Sequence, residues 1–134
     1  MDARDVASIP LFAGLSKTDQ RVVAQYADEV DVPAGTKLAE EGRFAYEFFA
    51  IKEGAAEVTR EGAVLATLGP GDFFGEIGLL AADRRVASVT ATAPTHLVVL
   101  TGSQLRSIES QMPPVAARIR GTMAARLEAN RVGS

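Results

Sequence analysis

The residues best suited to chemistry lie in one run, Phe73-Phe74-Gly75-Glu76-Ile77-Gly78-Leu79-Leu80-Ala81-Ala82-Asp83-Arg84-Arg85-Val86-Ala87-Ser88-Val89. Gly69, Gly71, Gly75 and Gly78 let the backbone bend and approach a ligand closely. Residues 76–80 suit one helical turn, whose free N–H groups make an anion site. An arginine placed just before a strand can reach back toward that turn, and the two together form a phosphate cradle. Glu76 cannot bind phosphate, but it can accept a hydrogen bond from a sugar hydroxyl. Phosphate plus sugar hydroxyl specifies a nucleotide.

Other chemistries lack their residues. The chain has no cysteine, which removes disulfides, thiolate catalysis and zinc–sulfur sites. His96 is the only histidine, too few for a transition-metal site. A Ser-His-Asp triad would have to use it, yet it opens the apolar run His96-Leu97-Val98-Val99-Leu100 and reads as the edge of a strand. No catalytic residue and no metal site are therefore expected. A net charge of −3 argues against general affinity for nucleic acid but leaves room for a local basic pocket. The charged N-terminus, Met1-Asp2-Ala3-Arg4-Asp5, lacks a signal-peptide core. No apolar run reaches the roughly 18 residues that span a membrane. The expected location is cytoplasmic, away from the membrane.

The elements around the run must hold it in place. The length of 134 residues suits a single domain, 1–134. Ser16-Lys17-Thr18-Asp19 reads as a helix start, with Val22, Val23, Tyr26 and Ala27 at helical spacing behind it. Ile9-Pro10-Leu11-Phe12 is apolar and proline-broken, and reads as a packed turn. From Val30 the period shortens. Val30–Val32, Thr36–Ala39, Glu47–Ile51, Ala56–Thr59 and Val64–Leu68 are short runs separated by glycine and proline turns, the mark of a sandwich or barrel. Glu61-Gly62 suits a tight hairpin. Ala87–Ala91 and Thr95–Leu100 are the last strands, and residues 74–85 form a non-strand insertion between the two groups. Phe48 and Phe49 read as core strand residues. Helix then returns. Ser103 is placed to cap a short helix through Leu105 and Ile108, and Pro113-Pro114 opens a longer one. Val115, Ile119, Met123 and Leu127 make one apolar stripe on that helix, which either packs on the roll or pairs with a second copy as a homodimer. The expected fold is α+β, mainly β: a β-roll flanked by helices.

The run resembles the phosphate-binding cassette of cyclic-nucleotide-binding domains, the family of protein kinase A regulatory subunits and bacterial catabolite activators. The match extends from Phe74 to Val89. Similar features recur at Pro33-Ala34-Gly35, Glu41-Gly42, Ile51 to Gly54, Leu68-Gly69-Pro70-Gly71-Asp72-Phe73 and Ile9-Pro10-Leu11-Phe12-Ala13-Gly14-Leu15-Ser16. The resemblance covers nearly the whole chain. It implies an eight-stranded, jelly-roll-like double-stranded β-helix with a short cassette helix, and a cAMP-binding regulatory sensor with no catalytic activity.

The resemblance also assigns roles. Arg85 would pair with the exocyclic phosphate through its guanidinium fork. Glu76 would accept from the ribose 2′-hydroxyl. Phe74, Gly75, Ile77, Gly78, Leu79, Val86, Ala87 and Ser88 would complete the ligand contacts. A hydroxyl after the arginine helps hold guanine in this family. Val86 stands there, which leans toward cAMP over cGMP. Relatives cover the base from the C-terminal helix, and Arg120, Met123, Arg126 and Leu127 are the candidates here. An arginine could stack on the base. Arg84 stands where many relatives carry proline and is either a solvated charge or a competitor for the phosphate; register favours Arg85. The chain stops soon after the long helix, so the helix-turn-helix of related transcription factors is not expected, nor is DNA binding. Two other readings stand beside the sensor. One is a degenerate roll used only for docking or dimerisation. The other is a cupin-type enzyme, whose clustered histidines one His cannot supply.

Overall fold

The computed structural model describes residues 1–82 and 84–132. Helix α1 (Ala3–Val6) leads through a 3-10 turn at Pro10–Phe12 to α2 (Lys17–Tyr26). The Ser16 hydroxyl caps α2 by accepting from the Asp19 N–H at 3.1 Å, satisfying a donor that the first turn leaves free. Eight strands follow: β1 (Asp28–Val32), β2 (Lys37–Ala39), β3 (Glu47–Glu53), β4 (Ala56–Arg60), β5 (Ala63–Leu68), β6 (Phe73–Phe74), β7 (Ser88–Ala91) and β8 (Thr95–Thr101). Helices α3 (Gly102–Gln111) and α4 (Pro113–Val132) close the chain.

The strands form two antiparallel sheets, in the orders β1-β8-β3-β6 and β2-β7-β4-β5. This is the β-roll with flanking helices that the strand and helix pattern implies. The apolar runs of β3 and β8 are buried on both faces, and their alternation divides the core in two. Phe48, Ala50, Val98 and Leu100 face the helices, where they meet Phe12, Leu105 and Ile119. Phe49, Ile51, Leu97 and Val99 face the second sheet, where they meet Leu68, Phe74 and Val89. Phe48 and Phe49 are thus core residues, as expected. Among the described residues, no helix is long and apolar enough to cross a membrane.

Four local outcomes differ in detail from the sequence reading. Strand β1 starts at Asp28, ahead of Val30, because it pairs with β8 from Val99 onward. Phe74 belongs to strand β6, which pairs with Phe49, and so marks the start of the insertion rather than its interior. Helix α3 is capped by Thr101 and not by Ser103. The Thr101 hydroxyl accepts from Gln104 N at 3.2 Å while the Gln104 side chain accepts from Thr101 N at 3.0 Å, a reciprocal capping box. The turn opened by Glu76 widens into a π-helical stretch at Gly78–Ala82. The β4–β5 hairpin forms as read: Glu61 and Gly62 both take positive φ, 51° and 81°, the geometry of a type I′ turn.

Helix α4 opens at Pro113. Val115 and Ile119 are buried against the helix-side core and Met123 is also buried, whereas Leu127 remains 42% exposed. Most of the apolar stripe is therefore used within the chain.

Candidate functional site

Arg85 is placed by its backbone first. Its N–H donates to the Arg43 carbonyl at 2.8 Å and its carbonyl accepts from Gly42 N at 2.9 Å, which ties the strand entry to the loop after β2. The side chain then turns back under the cassette, as the sequence suggests. Nη1 donates to the Gly75 carbonyl at 3.3 Å and Nη2 to the Glu47 carbonyl at 2.6 Å. A Cβ on Gly75 would fall 2.6 Å from Nη1 and 2.9 Å from the Glu47 oxygen, and Gly75 has φ of +98°, so only glycine admits the guanidinium here. Burial pushes the Arg85 pKa below its ordinary value, against the opposing pull of the Glu47 and Glu76 charges. Among the described residues, no carboxylate comes within ion-pair distance of it. A half-buried cation that donates to two carbonyls, with the Phe49 ring 5.9 Å away, is a cation prepared for an anion.

Glu76 opens the cassette turn and is 1% exposed. Its Oε1 accepts from Arg126 Nη1 of α4 at 2.5 Å, and Arg126 Nη2 donates to the Phe73 carbonyl at 2.6 Å. Among the described residues, the other oxygen, Oε2, is buried without a hydrogen-bond partner. An unpaired buried carboxylate oxygen costs on the order of 1–3 kcal/mol or more, and a hydroxyl donor would recover that cost.

Glu76, Arg85 and Arg126 share an open pocket of about 160 Å³. Of the residues expected at the ligand, Phe74, Gly75, Glu76, Ile77, Gly78, Arg85, Val86 and Ala87 line it. Three do not. Leu79 packs on the helix-side core, next to Gly102. The Ser88 hydroxyl turns outward to accept from Glu41 N at 3.0 Å. Arg84 lies outside, donating to the Gly42 carbonyl at 2.8 Å with its guanidinium 4.1 Å from the centre of the Phe44 ring. Of the lid candidates, Arg126 lines the pocket and is bound to Glu76 rather than poised over open space. Arg120 pairs with Glu109, Met123 is buried, and Leu127 is not part of the lining. Sequence reasoning missed the apolar wall, Ala39, Val58, Leu65, Ala66, Leu68 and Val89, together with Ala129 of α4. Its only signal was the unusual apolar content of β5, whose Leu65 stays 46% exposed.

The arrangement offers a cation at one end, a hydroxyl acceptor beside it and an apolar wall beyond. The family model described as the cyclic nucleotide-binding domain matches residues 29–111, from β1 through α3.

The chain belongs to the cyclic nucleotide-binding domain family.

A cyclic nucleotide-gated potassium channel of Rhizobium etli is 32% identical over 117 residues, covering 87% of this chain and 33% of the channel. The crystal structure of the Thermus thermophilus catabolite activator protein superposes with a TM-score of 0.78 at 28% identity, covering 92% of this chain and 61% of that one. The regulatory domain of Toxoplasma gondii PKA, in co-crystal with cAMP, gives a TM-score of 0.70 at 28% identity, covering 79% and 42%. The chain spans about a third of the length of the curated relatives it matches first. Residues 75–87 lie between β6 and β7, within the matched region, with Glu76 and Arg85 on the pocket lining.

Proposed function

We propose that this chain is a non-catalytic regulatory module that binds a 3′,5′-cyclic nucleotide, cAMP before cGMP. The observation that carries the reading is the pairing of two unfinished groups on one pocket: among the described residues, the Arg85 guanidinium has no counter-anion and the Glu76 Oε2 has no donor. A cyclic phosphodiester completes the first, and a ribose 2′-hydroxyl completes the second. Charge supports the choice of anion. Arg85 and Arg126 against Glu76 leave one net positive charge among the described lining side chains, which matches a phosphodiester monoanion better than the dianion of AMP. Val86 lines the pocket without a hydroxyl to offer guanine, so the extra polar edge of that base would lose water without compensation.

Binding would act on α4. Glu76 is shared between the ligand hydroxyl and Arg126, so the ligand alters the contact that fixes the helix on the cassette. Helix position is then the two-state element biased by ligand. The test is the melting temperature with saturating cAMP, cGMP or AMP. Ligand at about 100 times its dissociation constant adds roughly 2.7 kcal/mol, a rise of several degrees. The expected order is cAMP, then cGMP, with AMP inert. A larger rise with cGMP would remove the base preference. No rise with any of them, and no nucleotide released on denaturing the purified protein, would make the chain a ligand-blind interaction module.

A further inference from the structure

We infer that Glu41 is a positioning residue for the base end of the pocket: it ties the turn of the β4–β5 hairpin to the strand entry that carries Arg85. The role rests on the cyclic-nucleotide reading above. The Glu41-Gly42 pair stands out in the sequence and has no place in the pocket lining. The Glu41 side chain instead reaches a residue 20 positions along the chain, where Oε1 accepts from the Glu61 N–H at 2.9 Å. Its own N–H donates to the Ser88 hydroxyl at 3.0 Å. One residue thus bonds to both sides, the hairpin by its side chain and the strand after the cassette by its backbone.

The hairpin is otherwise held from one side. Strand β5 is the outer strand of its sheet and pairs with β4. Strand β4 in turn is held by β7 from Ala56 to Thr59, so the chain from Arg60 through the turn projects past that neighbour. The ladder is also interrupted there. Val58 pairs with Ala66 and Thr59 with Val64, which leaves Leu65 in a bulge with no residue opposite. Leu65 and Ala66 both line the pocket. The direction of Leu65 is therefore set from two ends, by the Val58–Ala66 pairing and by the turn. Among the described residues, the bond from Glu61 to Glu41 is the only side-chain hydrogen bond that the turn makes.

The tie joins the two ends of the pocket. Gly42 bonds to the carbonyl of Arg85 and Arg43 to its N–H, so residues 41–43 hold the phosphate-side arginine and the apolar wall in one frame. A wall ordered before the ligand arrives loses less freedom on binding, and that advantage falls on the base. The bond requires an oxygen acceptor on a side chain of this length. Glutamine supplies one and alanine does not. The neighbouring carboxylate, Glu40, pairs with Arg43 at 3.7 Å and provides a control.

The experiment compares Glu41→Ala, Glu41→Gln and Glu40→Ala with the parent chain by NMR titration, which reaches weak ligands. The two ligands are cAMP and methyl riboside 3′,5′-cyclic phosphate, which keeps the phosphate and the 2′-hydroxyl but has no base. Glu41→Ala should weaken cAMP binding by about threefold to tenfold, the usual net effect of one hydrogen bond, and leave the base-free ligand within about twofold. Glu41→Gln should recover most of the loss. Glu40→Ala, which removes a surface ion pair, should bind as the parent does. Amide exchange without ligand should quicken in Glu41→Ala across residues 60–66 but not in β3 or β8. No loss, or equal losses for the two ligands, would overturn the assignment to the base end. A glutamine variant as weak as the alanine one would show an effect of charge and overturn the bond as its cause. Unchanged exchange across residues 60–66 would overturn the tie itself. A parent that binds neither ligand, with exchange still quickened in Glu41→Ala, would overturn the pocket reading and leave the tie standing.

Discussion

At Arg85, desolvation and charge work against each other. Two main-chain carbonyls orient the guanidinium, but neither neutralises it, so the protein itself leaves the burial cost partly unmet. An anion binding there recovers it. Arg85→Ala should therefore leave the fold intact and weaken cAMP binding by about 3–4 kcal/mol, roughly two to three orders of magnitude. Arg84→Ala, which removes a neighbour of the same type from outside the pocket, should change binding by less than about threefold, within the usual effect of a surface substitution. Calorimetry on the two variants reads the difference, and equal losses would place the phosphate elsewhere. His96 shows a second residue-level device. Its Nδ1 lies 2.6 Å from Asp31 and its Nε2 2.9 Å from Glu29, which is also reached by Lys52 at 3.5 Å. Only the doubly protonated ring can donate to both carboxylates. These bonds raise the His96 pKa and lower that of Glu29. A raised histidine contributes stability that is full below its unfolded value and lost as pH rises through the folded one. The lowered Glu29 contributes stability that fades as pH falls through its own folded value. The clamp between β1 and β8 is thus strongest in the window between them. His96→Gln should cost more melting temperature near pH 6 than near pH 9, values that bracket the ordinary histidine range. An equal cost at both would show that the contact is not ionic.

At the scale of elements, the boundaries follow whichever hydrogen-bond partner wins, and this decides how much can be read ahead. Ser103 and Thr101 both have the chemistry of a cap, and spacing to Leu105 and Ile108 favours Ser103. The structure chooses Thr101 because Gln104, three residues on, returns the bond. Thr101→Ala should cost about 1 kcal/mol in urea denaturation, and Ser103→Ala should be close to neutral. A reversed order would place the cap back at Ser103. The same limit applies to the cassette. Glycines, Glu76 and Arg85 were legible because their types are tied to local geometry. Arg126 was legible only as one of four candidates on α4. Which of them meets Glu76 depends on the helix's docking on the roll, through Val115 and Ile119 against the core, and no local pattern encodes that. Val58, Leu65 and Val89 were missed for a related reason. They are ordinary strand residues whose place on the pocket is fixed by the register between β4, β5 and β7.

At the scale of the whole molecule, the chain's two helical ends meet on one side of the roll, and Arg118 joins them. This arginine leaves α4 two turns before Arg126 and donates from Nη1 to the Leu11 carbonyl at 2.9 Å and the Ala13 carbonyl at 2.8 Å, with the Pro10 carbonyl at 3.5 Å. These are carbonyls of the 3-10 turn and of its exit, of which the Pro10 carbonyl also accepts from the Ala13 N–H at 3.2 Å. Beneath them, Leu11 and Phe12 join the same core as Val115 and Ile119. Helix α4 is therefore attached at two points, to the N-terminal segment through Arg118 and to the cassette through Arg126. Arg118 thus holds the 3-10 turn and its exit to the C-terminal helix. Arg118→Ala should speed amide exchange across residues 11–15 and through the first half of α4, because orphaned carbonyls and a loosened turn lower the cost of local opening. Exchange in β3 and β8, each flanked by strands on both sides and packed on the second sheet, should not change. Arg118→Lys should recover only part of the effect, since a compact ammonium is more strongly hydrated than the guanidinium and gives up water less readily for these carbonyls. Unaltered exchange in residues 11–15 would mean that apolar packing alone holds the N-terminal segment. Protection lost throughout both sheets would mean that the helical layer and the roll unfold as one unit.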